Sequence, residues 1–152
     1  MAQIRKMDAQ VEVKSQADKL YDIFKGKAYL MPKICPDKIL NLEILQGDWN
    51  SVGAVKLWTF LPGTSESLKE EVEAIDERNR SITFRVIDGE ILKYYDSFKS
   101  SVQVTSLGAK GSLVTWSVEF VKSDARIPDP DKYLQFCAVV AKDIDAYLLK
   151  NA

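Results

Sequence analysis

The sequence predicts an α+β fold in which a run of antiparallel strands is closed by one long helix. Three observations carry this. Apolar and polar residues alternate with period two through most of the chain. A two-glycine stretch, Gly47-Asp48-Trp49-Asn50-Ser51-Val52-Gly53, links two such segments as a tight loop. After about Asp131 the period changes: Tyr133, Phe136, Cys137, Val140, Ala141, Ile144, Tyr147 and Leu148 follow helical spacing for about five turns. Strands followed by a helix segregate into an α+β arrangement. A sheet closed by a single apolar helix stripe encloses a space, which predicts a container for a small molecule.

The elements follow in order. Ile4 to Lys14 alternates (Ala9, Val11 and Val13 against Gln10, Glu12 and Lys14) and reads as a strand. Ser15 is the expected cap of a helix that carries Ala17, Leu20, Tyr21 and Phe24 on one face, with Asp18 in its first turn and Gly26 at its end. A second short helix over Ala28 to Ile34 is strained by Pro32, and Pro36 closes it. Ile39 to Gln46 is a strand. Five more follow the glycine loop: Ala54 to Phe60, Ser67 to Ile75, Ser81 to Ile87, Ile91 to Thr105 and Leu113 to Lys122. Leu61-Pro62-Gly63, Asp76-Glu77-Arg78-Asn79, the hairpin signal Asp88-Gly89, and Gly108 to Gly111 separate them. That makes seven strands within one domain, residues 1–152.

Composition narrows the function. Apolar residues are 46% and charged residues 28%, and 21 basic against 22 acidic side chains leave a net charge of -1. No basic patch of the kind that binds nucleic acid or anionic membranes stands out, and no apolar run reaches a membrane span. Histidine is absent, which excludes Ser-His-Asp and Cys-His nucleophiles and removes the commonest general base and metal ligand. The two cysteines, Cys35 and Cys137, form no disulfide framework or zinc motif. No cofactor, metal or catalytic residue is expected. The N-terminus does not read as a signal peptide, so the expected location is cytoplasmic.

Strand alternation sorts the residues by face. Val114, Trp116, Val118 and Phe120 face inward, as do Ile82, Phe84 and Val86. Leu92, Tyr94, Phe98, Val102 and Val104 share a face that also carries Asp96 and Ser100, and Trp58 and Phe60 share one with Lys56. A close-packed core would explain such an aromatic stripe. The polar tips of Tyr94, Trp58 and Trp116 want partners when buried, however, and inward charges at Lys56 and Asp96 are costly in a dry core. Either a cavity receives these groups or the two charges reach water from strand ends. The candidate cavity lining is Lys56, Trp58, Phe60, Ile82, Phe84, Tyr94, Phe98, Val102, Val114, Trp116 and Phe120, with Phe136, Cys137, Val140 and Ile144 from the helix. Lys56 would meet a ligand carboxylate or phenolate, and Tyr94 a ring oxygen or nitrogen. Cys137 reads as an inert core thiol, since nothing near it in sequence lowers its pKa.

Several stretches carry a family resemblance over nearly the whole chain. They are Val11-Glu12-Val13-Lys14-Ser15, Gly47 to Gly53 with Lys56-Leu57-Trp58, Glu73-Ala74-Ile75-Asp76, Val86-Ile87-Asp88-Gly89-Glu90, Tyr95-Asp96-Ser97-Phe98-Lys99 and Tyr147-Leu148-Leu149. In these the chain resembles the plant major latex proteins of the Bet v 1 and pathogenesis-related class 10 superfamily. The resemblance implies a START-like helix-grip fold: a curved seven-stranded antiparallel sheet wrapped around a long C-terminal helix, two short helices in a V, and an internal cavity. It also implies binding of hormone-, flavonoid-, sterol- or fatty-acid-like molecules, with links to defence and stress. The Gly47–Gly53 loop departs from glycine-richer relatives and lacks a Walker-type Lys-Ser/Thr, so it links strands rather than holding a nucleotide.

The expected function is therefore a carrier, store or sensor of small hydrophobic or amphipathic ligands, acting as a monomer or weak dimer. The alternative is an acid–base enzyme of alkaloid-type metabolism using Lys56, Tyr94 and Asp96. A receptor that exposes a docking surface on ligand binding is a further reading, with gates at Leu61–Ser65 and Asp88–Glu90. Ribonuclease activity fits worst, without histidine or a basic groove.

Overall fold

The computed structural model describes residues 3–61 and 67–151. Its strands are β1 (Arg5–Val13), β2 (Ile39–Gln46), β3 (Val55–Phe60), β4 (Ser67–Asp76), β5 (Ser81–Gly89), β6 (Tyr95–Ser106) and β7 (Ser112–Lys122). The helices are α1 (Ala17–Lys25), the one-turn α2 (Met31–Ile34) and α3 (Asp131–Lys150). All seven strands join one antiparallel sheet in the order β1-β7-β6-β5-β4-β3-β2. From β2 to β7 each strand pairs with its sequence neighbour, and β1 closes on β7. This is the expected curved, helix-gripping sheet. Register shifts in β2, β4 and β6 break the ladder, and such bulges bend a strand and increase its twist.

α3 packs against β1 and β7 and against α1 and α2. Leu134, Cys137, Val140, Ala141 and Ile144 form its buried stripe. Its seat is fixed by Asp145, which accepts from the Ser15 backbone N–H at 2.8 Å, the Ser15 hydroxyl at 2.6 Å and the Lys14 N–H at 3.2 Å. Ser15 is thus not the helix cap that its position suggests. Gln16 occupies the cap position of α1 with no side-chain bond, and the Ser15 hydroxyl is spent on α3 instead.

Three further expectations are corrected. The second short helix is a 3₁₀ turn, Ala28–Leu30, running into α2, and Pro32 sits in the first turn of α2, where no N–H donor is missed. Asp88-Gly89 is not a two-residue hairpin. Gly89 stays in β5 opposite Leu68, and a 3₁₀ turn, Glu90–Lys93, makes the reversal. Only glycine suits that position, because φ is +137° and a Cβ would lie 2.7 Å from the Ser67 carbonyl oxygen. Finally, β6 starts at Tyr95 rather than Ile91, and its register against β7 shifts between Tyr95 and Ser97. The bulge changes which residues face inward. Tyr95 is buried with Phe98, Ser100, Val102 and Val104, while Asp96 is exposed.

The Gly47–Gly53 loop does link β2 and β3. Gly47 adopts φ +76°, where a Cβ would lie 3.1 Å from the Ala54 Cα, and Asp48 accepts the Asn50 N–H at 2.9 Å.

Candidate functional site

Between the sheet, α1 and α3 lies a cavity of about 910 Å³. Its size follows from how unevenly the interior is filled. At one end, Tyr95, Phe98 and Phe120 pack ring on ring, with centroids 5.4 and 5.6 Å from Tyr95, and Tyr133 meets Phe98 at 4.9 Å. At the other, the rings on β3 do not fill the space between the sheet and α3. Trp58, Phe60 and Phe136 border a gap there, with Phe60 edge-on to Phe136 at 5.6 Å. Phe24 of α1 closes another wall edge-on against Trp116, at 5.4 Å.

Of the expected lining residues, Lys56, Trp58, Phe60, Phe84, Tyr94, Trp116, Phe136, Cys137 and Val140 border the cavity. Ile82, Phe98, Val102, Val114, Phe120 and Ile144 do not; they are fully buried in the packed part of the core. Alternation identifies the inner face of a strand, but not which stretch of that face a helix covers. Tyr94 lies at the mouth, 50% exposed, rather than inside. Glu90 and Ile91 of the 3₁₀ turn also border the opening. Leu61 lines it too, but residues 62–65 of the other expected gate lie outside the described residues.

The walls are mostly apolar; Asp37, Lys38, Glu90, Lys132 and Gln135 border the space from exposed or half-buried positions, and one charged cluster is buried. Lys56 on β3 and Glu70 on β4 stand directly opposite each other in register, on the inner face, with only 2% and 4% of their surfaces exposed. The Trp58 indole N–H donates to Glu70 Oε1 at 2.7 Å. Lys56 Nζ has no hydrogen-bond or ion-pair partner among the described residues. It sits 5.6 Å from the Trp49 ring centroid and 5.9 Å from that of Phe84. Burial pushes the Glu70 carboxyl up to about 7, opposed by the Trp58 N–H and the Lys56 charge. Burial likewise pulls the Lys56 ammonium down, opposed by Glu70.

On the helix side, the Tyr133 hydroxyl donates to the Ser100 Oγ at 3.1 Å, and burial raises its pKa well above the ordinary phenol range. Burial also raises the Cys137 thiol, and it pushes Cys35 up to about 12, so neither is a ready nucleophile. Trp116 Nε1 is a buried donor with no partner among the described residues.

The expected enzyme trio of Lys56, Tyr94 and Asp96 is not assembled, because the β6 bulge turns Asp96 to solvent. The carboxyl facing Lys56 is Glu70, which the sequence reading passed over. Its signal was present: Glu70 falls between Leu68 and Val72 in period-two alternation, and all three are buried. Among the described residues, no cluster of Cys, Asp and Glu could hold a metal ion, and no helix is long and apolar enough to cross a membrane.

A helix-gripping sheet around a large apolar cavity defines a class of protein, and the comparisons place the chain within it. Residues 2–151 match the model of the pathogenesis-related protein Bet v 1 family, and the chain belongs to that family. It is 39% identical over 148 residues to MLP-like protein 31 of Arabidopsis thaliana, covering 96% of this chain and 86% of that one. Identity to MLP-like protein 28 of the same plant is 38%, and there the chain spans only 44% of the relative's length. Among solved structures it is similar to major latex-like protein 151 of Panax ginseng (33% identity, TM-score 0.89, covering 95% of this chain and 97% of that one). Norcoclaurine synthase of Thalictrum flavum, solved with dopamine and hydroxybenzaldehyde, has the same fold at 23% identity (TM-score 0.84, covering 99% of this chain and 90% of that one). That likeness concerns the fold alone.

Proposed function

We propose that the protein binds small hydrophobic or amphipathic molecules inside this cavity and acts as their carrier, store or sensor. The observation that carries the reading is a mostly apolar space of about 910 Å³ that holds one buried charged cluster, Lys56 with Glu70. Small-molecule sites have this character: some hundreds of cubic ångströms, mostly apolar walls and a few convergent polar groups. The Lys56–Glu70 pair would orient one polar end of a guest while the aromatic rings cover the rest. The acid–base enzyme reading is weaker, because its three expected groups do not converge. The family resemblance supports a plant defence or stress role. The two unpaired, buried cysteines agree with a reducing cytoplasm.

Titration with the amphipathic fluorophore 1-anilinonaphthalene-8-sulfonate tests this. The expected result is saturable one-to-one binding that quenches tryptophan fluorescence. Val140→Trp, which puts bulk into the space from α3, is expected to weaken it at least about tenfold. Binding that never saturates, or that Val140→Trp leaves unchanged, would remove the reading.

A further inference from the structure

Lys56 is the least explained side chain in the molecule. It is among the largest fully buried residues, it borders the cavity, and its ammonium group has no hydrogen-bond or ion-pair partner among the described residues. A lysine held for stability alone would be expected to pair with the carboxyl opposite, as buried charges usually do. Instead Glu70 takes the Trp58 indole N–H and leaves Lys56 Nζ between the Trp49 and Phe84 rings. A desolvated amine beside a carboxyl, open to an apolar space that holds an organic guest, meets the requirements for reaction with a carbonyl.

We propose that Lys56 captures cavity-sized aromatic or aliphatic aldehydes as a reversible imine, with Glu70 as the proton carrier. The neutral Lys56 amine adds through its lone pair to the carbonyl carbon, and the C=O π pair moves to oxygen, which takes a proton from the Glu70 carboxyl. The nitrogen returns a proton to the Glu70 carboxylate. Glu70 then protonates the carbinolamine hydroxyl, which leaves as water while the nitrogen lone pair forms the C=N bond. The iminium surrenders its last N–H proton to Glu70. One aldehyde is consumed and one water released, with no oxidant or reductant. The lowered pKa of Lys56 keeps more of it as free amine than an exposed lysine, and the apolar walls limit the water that would hydrolyse the product.

The proposal rests on the cavity-binding reading, and 2-naphthaldehyde with its alcohol, 2-naphthalenemethanol, separates the two. The wild-type protein is incubated near pH 7 with one equivalent of the aldehyde and cyanoborohydride, and the trapped lysine is located by peptide mass mapping. The expected result is one naphthylmethyl group, at Lys56, in at least about tenfold excess over the exposed Lys110 and Lys142, which lie away from the cavity. Lys56→Met should lose that adduct, and Glu70→Gln should slow trapping at least about tenfold. Even labelling across exposed lysines would overturn imine capture, and this result needs no variant to fold. An unslowed Glu70→Gln would overturn the proton-carrier assignment. Calorimetric binding of the alcohol without trapping of the aldehyde sinks only the covalent proposal. Binding of neither compound sinks the cavity reading as well.

Discussion

At the scale of single residues, Glu70 dominates the electrostatics of the interior. Its carboxyl, raised from 4.5 to about 7, is easier to protonate in the folded chain than in the unfolded one. Stability from that source is full below 4.5 and is lost as pH rises through about 7. The loss is on the order of 3 kcal/mol, an upper figure because Lys56 shares the site. Exposed carboxylates with lowered values, Asp37, Asp48, Asp76, Asp124 and Asp129, act in the opposite sense, and their contribution disappears in acid as pH falls through those values. Burial raises Tyr133 and Cys137 above this window, whereas it lowers Lys56, which acts in the opposite sense to Glu70. Urea unfolding across pH should therefore show greatest stability at about pH 4–5 and a decline towards neutrality. Glu70→Gln should flatten that decline. A wild-type curve that rises between pH 5 and 7 would contradict it. Glu70 was legible in the sequence as a polar break in an apolar alternation, whereas its Trp58 bond was not, since a hydrogen bond across strands depends on register. Lys56 was read correctly as inward. Asp96, for which an inward place and a route to water were both open, reaches water because one extra residue in β6 inverts the face before it.

At the scale of elements, α3 is held by side chains as well as by its apolar stripe. Asp145 ties it to the start of α1 through Ser15 and Lys14, and Asp143 ties it to Lys38 ahead of β2 at 2.8 Å. Loss of the Asp145 carboxylate orphans a part-buried hydroxyl and two backbone N–H groups. Asp145→Ala should cost about 2 kcal/mol by chemical denaturation, whereas breaking the exposed ion pair Arg126–Asp124 should leave the unfolding midpoint essentially unchanged. Equal effects from the two would show that Asp145 is not an anchor. The β5–β6 connection is the other informative element. Gly89→Ala places a methyl against the Ser67 carbonyl at an unsuitable φ, so it should destabilise by about 2 kcal/mol and disturb the mouth that Glu90 and Ile91 border. The sequence made strands and helices visible because their periodicities are local. It hid the Asp145 anchor and the 3₁₀ turn because both depend on contacts or backbone angles that spacing does not encode.

At the scale of the whole molecule, the interior is divided. One part, around Tyr95, Phe98, Val102, Val114 and Phe120, is close-packed and supplies cohesion. The other, bordered by Trp58, Phe60, Phe84 and Phe136, is hollow. The alternation of strands predicted both as one aromatic face, and only the seating of α1 and α3 separates them. Leu→Ala-type truncations should accordingly differ by region. Phe98→Ala opens a void in packed core and should cost about 3–5 kcal/mol, whereas Phe136→Ala enlarges an existing space and should cost distinctly less. The division of the interior is tested most directly by intermolecular NOEs between bound 1-anilinonaphthalene-8-sulfonate and the protein. Cross-peaks to Trp58, Phe60, Phe84 and Phe136, with none to Phe98, Val102 or Phe120, are the expected result. Cross-peaks confined to exposed apolar residues such as Leu40, Leu45 and Val52 would contradict a guest-holding interior.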